Sequence, residues 1–321
     1  MKNIGIIGGA GYTAGELLRL LINHPEVSVA FVHSTSHAGE PVTNVHSGLL
    51  GETDLTFSDT YPLNEIDILF LCSAHGHSRR FWEENPRPAQ LRVIDLAQDY
   101  RDESDGYVYG LPELNRERIA TAKSVANPGC FATAIQLSLL PLAAAGLLTG
   151  SEVNITALTG STGAGVKPGA TTHFSWRNDN LSVYKPFTHQ HLIEIGATLR
   201  RLQPETSPRI NFIPMRGDFA RGIYAVTHLD CPLTEDEAVK LYRDFYANAP
   251  FTVVSDAPVD LKQAVNTNKA VIHVEKHGDK LLITTAEDNL LKGASGQAVQ
   301  NLNIMLGIDE RTGLRLKPSA F

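Results

Sequence analysis

The chain has 321 residues, of which 42% are hydrophobic and 20% charged, and this composition excludes disordered, collagen-like and low-complexity proteins. A net charge of -7 argues against nucleic-acid binding, because that function needs clustered Lys and Arg in excess. Three cysteines are too few for a disulfide framework, and no apolar run reaches the roughly 18 residues of a membrane span. We therefore expect a cytoplasmic protein that acts on small molecules and binds neither nucleic acid nor membrane.

The first half of the chain alternates short apolar runs with helical periodicity. The expected elements are strands at 3–7, 27–33, 67–72 and 91–96 and a helix at 13–23. Such alternation predicts a parallel sheet with crossover helices, an α/β arrangement. The polar segment 97–118 contains Gly106, Gly110 and Pro112, and we interpret it as a functional loop or a crossing between domains.

The second half begins where Asn127-Pro128-Gly129 ends a short strand. A long apolar helix is expected from Cys130 onward, with a kink or a break at Pro141. The elements expected after it are strands at 152–158, 221–229, 270–276 and 280–285 and helices at 191–202 and 235–248. The period-two character of these strands predicts an α+β domain on a mostly antiparallel sheet.

A glycine-rich turn, residues 8–15, follows the first expected strand and opens the first expected helix. In this position backbone N–H groups and a helix N-terminus can hold a pyrophosphate. The spacing of Gly8, Gly11 and Ala14 differs from GxGxxG, and a turn that only packs a strand against a helix is the alternative. The candidate cofactor residues in this turn and after the strand at 67–72 are Gly8, Gly11, Tyr12, Thr13, Ala14, Ser73 and His75.

The end of the second strand indicates which dinucleotide the turn prefers. An NAD site usually places a carboxylate about 20 residues after the turn, where it binds the ribose 2′-hydroxyl. Here the sequence has Ser34, Thr35 and Ser36 and no carboxylate. Because hydroxyl donors suit a 2′-phosphate, we expect NADP(H), with Ser34 and Ser36 among its ligands. The alternative is that these residues only cap a turn.

Cys130 is the candidate nucleophile because it stands at the expected start of a helix. The helix dipole and the free N–H groups there stabilise a thiolate, and the same N–H groups can hold an oxyanion. Cys72 and Cys231 lie in or beside expected strands and are interpreted as packing residues. A buried structural cysteine is the alternative interpretation of Cys130.

Two histidines and a carboxylate, His189, His191 and Glu194, cluster around the start of the expected helix at 191–202. His191 and Glu194 are spaced i, i+3, so one helix face could hold a general acid–base and the carboxylate that orients it. His189 is the second choice for the acid–base role. No cysteine or carboxylate at a suitable spacing supports a metal site, and solvated surface histidines are the remaining alternative.

Anion recognition is assigned to basic residues beside turns. Arg101 and Arg221 are the candidates, because a guanidinium can bind a carboxylate or a phosphate with two parallel hydrogen bonds. Either could equally form half of a surface ion pair. Ser161 and Gly163 lie in a glycine-rich loop whose backbone could approach a ligand, and Asn289 follows the last expected strand.

Together these residues resemble the N-acetyl-gamma-glutamyl-phosphate reductase family, which is related to the aspartate-semialdehyde dehydrogenases. The resemblance extends along the whole chain and depends on eight motifs in a fixed order. The motifs are Gly8-Gly9-Ala10-Gly11-Tyr12, Asp99-Tyr100-Arg101, Tyr109-Gly110-Leu111-Pro112-Glu113, Pro128-Gly129-Cys130, Gly163-Ala164-Gly165, His189-x-His191 with Glu194, Arg221-Gly222-Ile223 and Asp288-Asn289-Leu290-Leu291-Lys292-Gly293-Ala294.

The resemblance implies a Rossmann-type NADP-binding domain, residues 1–129, with the segment 293–321 packing back on it. It implies an α+β catalytic and dimerisation domain, residues 130–292, in a homodimer or homotetramer. The implied reaction is the NADPH-dependent reduction of N-acetyl-gamma-glutamyl phosphate to the 5-semialdehyde and phosphate, through a thioester on Cys130, in arginine biosynthesis.

The resemblance also implies roles for three further residues. By match to related dehydrogenases, Arg101 is expected to bind the phosphate, Arg221 the substrate carboxylate and Asn289 the nicotinamide carboxamide. The alternatives are another phosphorylating semialdehyde dehydrogenase, acting on aspartyl phosphate, an amino-adipyl homologue or a different N-acyl glutamyl phosphate. A non-catalytic NADP-binding protein is the alternative from a different class, and the joint presence of Cys130, His191 and Arg221 weighs against it.

Overall fold

The computed structural model describes residues 1–74, 76–148, 150–204 and 208–319, and none of the helices in these ranges is long and apolar enough to cross a membrane. The helices are α1 (Tyr12–Leu21), α2 (His77–Glu84), α3 (Pro112–Thr121), α4 (Cys130–Ala144), α5 (Phe174–Arg177), α6 (His191–Leu202), α7 (Glu235–Tyr246) and α8 (Gly296–Leu306). The strands are β1 (Lys2–Ile7), β2 (Val27–His33), β3 (Phe57–Ser58), β4 (Ile68–Leu71), β5 (Arg92–Asp95), β6 (Val108–Tyr109), β7 (Ser124–Ala126), β8 (Glu152–Thr159), β9 (Ser182–Val183), β10 (Arg209–Arg216), β11 (Ile223–Asp230), β12 (Thr252–Ser255), β13 (Ala270–His277) and β14 (Lys280–Glu287). The chain divides into two compact units, Met1–Pro128 with Ala294–Arg315, and Gly129–Gly293 with the segment that begins at Leu316.

The first unit is built on a sheet with the strand order β3-β2-β1-β4-β5-β7-β6. All pairings between its named strands are parallel. Strand β4 is apolar at every position and fully buried, as expected in the middle of a parallel sheet. The four strands expected in this half correspond to β1, β2, β4 and β5, so the prediction of a parallel Rossmann-type sheet is confirmed.

The C-terminal helix α8 belongs to the first unit, where it packs against α1 and α3. Asn301 Nδ2 donates to the carbonyl of Gly110 at 2.9 Å and to Oδ1 of Asn127 at 3.1 Å. Ser295 Oγ, just before the helix, donates to the carbonyl of Thr13 at 2.8 Å. These hydrogen bonds fix the last helix against the element that follows the glycine-rich turn.

The segment 97–118, expected to be a loop or a domain crossing, contains regular structure. It includes the two-residue strand β6, and Pro112 begins helix α3. Proline is favourable at the first position of a helix, because an N–H at that position has no intrahelical acceptor. The loop prediction is therefore wrong only from Val108 onward, where β6 and α3 form, whereas residues 97–107 consist of turns, bends and one short 3-10 helix.

The second unit is built on a mixed sheet with the strand order β12-β13-β14-β11-β8-β10-β9. Within the described ranges, four of its strand pairings are antiparallel and two are parallel, so the prediction of a mostly antiparallel sheet is confirmed. Strand β10 is missing from the sequence prediction, because it contains Pro214 and proline indicates an edge or a break. Its outer neighbour β9 pairs only with Met215 and Arg216, so β10 lies almost at the sheet edge.

The strand register places four strand ends in one row at an edge of this sheet. Arg216 of β10 lies opposite Thr159 of β8. Thr159 also pairs with Ile223 of β11, which in turn pairs with Glu287 of β14. The loops that adjoin this row of strand ends are 160–165, 217–222 and 288–290. Their side chains are therefore available to one shared site.

Helix α4 begins at Cys130, as expected, and continues through Pro141 to Ala144. Because Pro141 has no N–H, the carbonyl of Leu137 lacks its usual helical donor. The hydroxyl of Tyr246 in α7 donates to this carbonyl at 2.5 Å. The helix therefore does not break at the proline, where a kink or a break was expected, and a neighbouring helix supplies the missing donor.

We predict that the hydroxyl of Tyr246 contributes more to the free energy of unfolding than the hydroxyl of Tyr242, which lies one turn earlier in α7. Tyr246→Phe should lower the free energy of unfolding by about 1–3 kcal/mol, because the buried Leu137 carbonyl then has no donor. Tyr242→Phe is the matched control, since Tyr242 donates to Ser138, whose carbonyl can still accept from the helical N–H of Leu142. Urea unfolding measures both variants, and equal losses would contradict the argument.

Candidate functional site

The glycine-rich turn of the first unit connects β1 to α1. Gly8 has a φ of 80°, and a Cβ there would lie 2.8 Å from the backbone carbonyl carbon of Cys72, so the position requires glycine. The N–H of Gly9 donates to the carbonyl of His33 at 2.8 Å. The N–H of Gly11 donates to the carbonyl of Gly8 at 3.2 Å. Helix α1 starts directly after Gly11 with no acidic residue in its first turn, so its N-terminus suits an anion.

A cleft of about 450 Å³ opens beside this turn, a size typical of small-molecule sites. The predicted cofactor residues in its lining are Gly8, Gly11, Ser34, Ser36 and Ser73. Arg80 of α2 also lines the cleft, and sequence reasoning missed it because nothing in the pattern links α2 to the end of β2. Its guanidinium is exposed and pairs with Glu84, a second lining residue. The turn, the hydroxyls and the added cation together fit a phosphorylated dinucleotide.

The remaining cofactor candidates of the first unit are placed differently. Tyr12, Thr13 and Ala14 form the first turn of α1, and in the described part of the chain they are not among the lining residues. Ala14 is fully buried, so its side chain packs the helix and cannot contact a ligand. This turn offers its backbone N–H groups to an anion, and the expected place of Ala14 in the cofactor site stays a prediction. His75 lies outside the described residues.

The structure distinguishes the three cysteines. Burial raises the pKa of the Cys72 thiol to about 12, despite a hydrogen bond with Thr13. Cys231 is buried. Cys130 is partly exposed and is the first residue of α4. Because a reactive cysteine needs both access and a helix N-terminus or a nearby cation, Cys130 is the one suited to nucleophilic chemistry.

A carboxylate from α6 holds the N-terminus of α4. Gly129, the N-cap residue, has no side chain that could satisfy the free N–H groups of the first turn. Oε2 of Glu194 accepts a hydrogen bond from the N–H of Gly129 at 3.1 Å, and both residues are buried. This contact fixes the residue before Cys130. The expected role of Glu194 in orienting His191 stays a prediction.

His189 and His191 are both buried beside Phe131. Their ring centroids are 4.5 Å apart, and Phe131 packs edge-on against His189 at 5.6 Å and against His191 at 6.4 Å. The N–H of His191 donates to Nδ1 of His189 at 3.2 Å, so a neutral His189 carries its proton on Nε2. Burial and the positive charges of Lys185 and Arg216 lower the pKa of His189 to about 4. His189 is therefore neutral at physiological pH.

Ser161 and Gly163 lie in the turn after β8, at the row of strand ends. Asn289 joins this turn to the neighbouring loops. Its Oδ1 accepts from the N–H of Gly222 at 2.7 Å, and its Nδ2 donates to Oγ1 of Thr162 at 3.0 Å. Both ends of the Asn289 carboxamide are thus engaged within the second unit, and its expected contact with nicotinamide stays a prediction.

The two arginines expected to bind anions are both engaged by the protein. Arg221 pairs with the buried Asp288 through Nε at 3.1 Å and Nη2 at 3.2 Å. Arg101, in the first unit, donates from Nε to the carbonyl of Asn127 at 2.9 Å and from Nη2 to that of Leu96 at 3.2 Å. The ion-pair alternative is therefore observed for Arg221, although its partner is buried. The substrate roles of both arginines stay predictions.

Tyr184 and Arg216 lie beside the histidine pair, and sequence reasoning did not select them. The guanidinium carbon of Arg216 is 4.6 Å from the centroid of the Tyr184 ring, which is 5.8 Å from the His189 ring. Burial raises the pKa of Tyr184, and the charge of Cys130 adds to the rise, so Tyr184 is within electrostatic reach of the nucleophile. Arg216 could have been selected because it ends a strand, but strand β10 was not predicted from the sequence.

Gly293 packs closely against Cys130. A Cβ on Gly293 would lie 2.8 Å from the Cβ of Cys130 and 3.0 Å from Oε1 of Glu287. Any side chain here would displace either the nucleophile or the buried end of β14. Glu287, which ends β14, and Lys292, which precedes Gly293, are both fully buried.

Comparison with known proteins places both units in one family. Residues 3–122 match the family described as "Semialdehyde dehydrogenase, NAD binding domain", and residues 130–289 match "Semialdehyde dehydrogenase, dimerisation domain". Proteins named N-acetyl-gamma-glutamyl-phosphate reductase match over 100% of this chain and 100% of their own length, at 59% identity in Phocaeicola vulgatus, 58% in Bacteroides thetaiotaomicron and 51% in Christiangramia forsetii. The chain belongs to the N-acetyl-gamma-glutamyl-phosphate reductase family. The resemblance seen in the sequence motifs is thereby confirmed.

Solved structures of aspartate-semialdehyde dehydrogenases share the fold of this reductase-family chain. Aspartate semialdehyde dehydrogenase II from Vibrio cholerae superimposes with a TM-score of 0.74 at 17% identity, covering 96% of this chain and 99% of that one. The Candida albicans enzyme, crystallised with NADP, gives a TM-score of 0.75 at 16% identity, covering 95% and 99%. At these identities the likeness shows the fold alone, and it confirms the predicted fold class.

For this member of the reductase family, we predict tighter binding of NADPH than of NADH. Ser36→Asp should move the preference towards NADH, because a carboxylate repels a 2′-phosphate and accepts a hydrogen bond from a 2′-hydroxyl. Ser28→Asp, an exposed position at the other end of β2, is the control for added charge. Fluorescence titration with each dinucleotide gives the affinities. Equal affinities in the unmodified protein would contradict the prediction.

Proposed function

We propose that this chain catalyses the NADPH-dependent reduction of N-acetyl-gamma-glutamyl phosphate to N-acetyl-glutamate 5-semialdehyde and phosphate, a step of arginine biosynthesis. The observation that carries the proposal is the position of Cys130, which is partly exposed at the N-terminus of α4. The next residue, Phe131, packs against the buried rings of His189 and His191. Full-length similarity to proteins named for this reaction supports the choice of substrate.

The first step is nucleophilic attack by Cys130 on the acyl phosphate. A bond forms between Sγ and the γ-carbonyl carbon, the bond from that carbon to the phosphate oxygen breaks, and phosphate leaves with the electron pair. The product is a thioester on Cys130, so one difficult substitution is divided into two easier steps. The N–H groups of the first turn of α4 can stabilise the oxyanion that forms, and Glu194 keeps that turn in place through Gly129.

The cleft of the first unit fits the cofactor that the second step requires. The backbone of the turn at Gly8 and Gly11 would hold the pyrophosphate, and Ser34, Ser36 and Arg80 would hold the 2′-phosphate. When bound, NADPH supplies a hydride for the thioester carbonyl carbon. The protein's part in this step is to hold the dinucleotide, to keep the thioester in place and to supply a proton.

His191 is the proton donor in this proposal. Efficient donors have pKa values near the working pH, and the pKa of His189 lies far below it, at about 4. His191 gives a proton to the alkoxide of the hemithioacetal and takes it back when the carbon–sulfur bond breaks. That bond cleavage releases the aldehyde and returns Cys130 as a thiolate. His189, neutral with a proton on Nε2, serves as a hydrogen-bond donor to the substrate.

We also propose that the protein is a cytoplasmic homodimer or homotetramer. Residues 1–129 with 293–321 would bind NADP, and residues 130–292 would carry catalysis and dimerisation. The family description of residues 130–289 as a dimerisation domain supports this division. The second unit also exposes large apolar side chains that a partner copy would cover. They include Phe174, Trp176, Leu181, Val183 and Phe187. Static light scattering on the full chain tests the assembly.

We predict that Cys130→Ser lowers kcat by about a thousand-fold or more, because the nucleophile of both chemical steps is lost. The affinity for NADPH should change by no more than a few-fold, since Cys130 lies outside the dinucleotide turn. Cys72→Ser is the control, because the raised pKa of Cys72 makes it a poor nucleophile. An inactive Cys72 variant beside a Cys130 variant with a near-normal rate would show that the assignment is wrong.

For the histidines, we expect His191→Asn to slow the reduction by about two to four powers of ten, as for the loss of a positioned proton donor. His189→Asn should raise KM more than it lowers kcat. Because the pKa of His189 is about 4, its loss should leave the pH profile between 6 and 8 unchanged. Single-turnover rates across this pH range measure both effects. The opposite pattern would exchange the two roles.

A further inference from the structure

Arg216 is a cation of the second unit to which the proposed reaction gives no role. It ends β10 and lies opposite Thr159 in the row of strand ends. Its backbone carbonyl accepts a hydrogen bond from Nη1 of Arg177 at 2.7 Å, and its guanidinium lies over the ring of Tyr184. The backbone and the side chain of Arg216 are therefore both held in place by their neighbours.

The guanidinium of Arg216 keeps hydrogen-bonding capacity that the protein does not use. Its Nε is buried and has no hydrogen-bond partner, and no carboxylate in the described ranges forms an ion pair with it. A hydrogen bond with Tyr184 satisfies only part of the group. A buried N–H without an acceptor is unfavourable, so a ligand that supplies an acceptor gains from binding here.

Other arginines of the second unit near this edge are engaged differently. Arg221 donates to Asp288 from Nε and from Nη2, so this edge of its guanidinium is occupied by the protein. Arg177 is buried and donates to several backbone carbonyls, including two hydrogen bonds to Thr171. These arginines stabilise the loops. Arg216 is the one whose unsatisfied donor can recognise a ligand.

The positive charge of Arg216 also acts on His189 and Tyr184, two side chains close to the proposed active site. It contributes, after burial and Lys185, to the lowered pKa of His189. Arg216 packs on Tyr184, and the charge of Cys130 contributes to the raised pKa of Tyr184. Arg216 and Lys185 therefore place two positive charges near His189, and in the described ranges neither is paired with a carboxylate. Such an arrangement attracts an anion into the site.

We propose that Arg216 is a further substrate-binding residue, whose guanidinium forms an ion pair with a carboxylate of the acyl-glutamyl substrate. The proposal depends on the function proposed above. Phosphate leaves in the first step, so it cannot help to orient the thioester during reduction, whereas a carboxylate stays on the bound chain throughout. A guanidinium is the side chain that matches a carboxylate best. Two sources share this chemistry: the α-carboxylate of the glutamyl unit, and a terminal carboxylate of the N-acyl group in substrates that have one.

The first experiment compares Arg216→Met with Arg209→Met in the full-length protein. Arg209 begins the same strand, is exposed and pairs with Glu152, so it controls for the lost charge. We expect Arg216→Met to raise KM for N-acetyl-gamma-glutamyl phosphate by about ten- to a hundred-fold, the range for one lost charged hydrogen bond. The kcat should fall less, and NADPH affinity should not change. Arg216→Lys should recover part of the loss, whereas Arg209→Met should stay within two-fold of the unmodified protein.

The second experiment identifies the carboxylate by calorimetric titration with unreactive ligands. N-acetyl-L-glutamine presents the α-carboxylate alone, and its α-amide presents none. The same α-amide with a four-carbon dicarboxylic acyl group presents the acyl carboxylate alone. Each ligand that has a carboxylate is compared with the N-acetyl α-amide, which has none. The source is the carboxylate whose ligand binds the unmodified protein more tightly than that α-amide but binds Arg216→Met no more tightly.

The proposal is overturned if Arg216→Met binds all three ligands as the unmodified protein does and keeps KM within two-fold. Thermal unfolding of each variant separates this result from a loss of folding, and Arg216→Lys gives a second variant with the charge retained. If the unmodified protein reduces no acyl-glutamyl phosphate, the proposed function fails, and the titrations alone then decide whether Arg216 binds a carboxylate.

Discussion

The hydrogen bond between the Gly129 N–H and Glu194 Oε2 is the contact on which the chemistry of the second unit depends. A helix that starts after glycine has no side-chain cap of its own, and its first N–H groups need acceptors. The carboxylate from α6 supplies one of them and joins the start of α4 to the first turn of α6. Cys130 begins the former helix and His191 the latter, so a single buried contact joins the elements that carry the proposed nucleophile and the proposed proton donor.

The loops at the sheet edge depend on a second buried carboxylate, Asp288. It accepts hydrogen bonds from Arg221 and from the backbone N–H groups of Asn266 and Leu290. A buried charge is tolerated only when it is paired and hydrogen-bonded, and here both conditions are met. Arg221 is therefore needed to neutralise Asp288, and the loop that leads to Gly293 is held in place by this pair. The expected contact of Arg221 with the substrate carboxylate stays a prediction beside this structural role.

The sequence predicted the regular elements well where the hydrophobic period was strong. Strand β2 at 27–33 and helix α6 at 191–202 have the predicted bounds, because a strand and an amphipathic helix leave clear periods of 2 and 3.6. Pro112 and Pro214 misled the prediction, since proline fits a first helical turn and a near-edge strand as well as a loop. The motifs also identified residue types for the site. They could not show how Arg221 is engaged, because its partner Asp288 is 67 residues away in the chain and only strand pairing brings them together.

Burial, with the positive charges of Lys185 and Arg216, sets the protonation state of His189. Burial, Lys185 and Arg216 all disfavour a proton on His189, so it is a neutral hydrogen-bond donor, while His191 is left as the proposed acid. In the proposed complex the carboxylate of the substrate pairs with Arg216 and neutralises part of this positive charge. That pairing weakens the smallest of the three causes that lower the pKa of His189, of which burial is the largest. In this proposal, the cation that binds an anionic substrate also helps to keep His189 neutral.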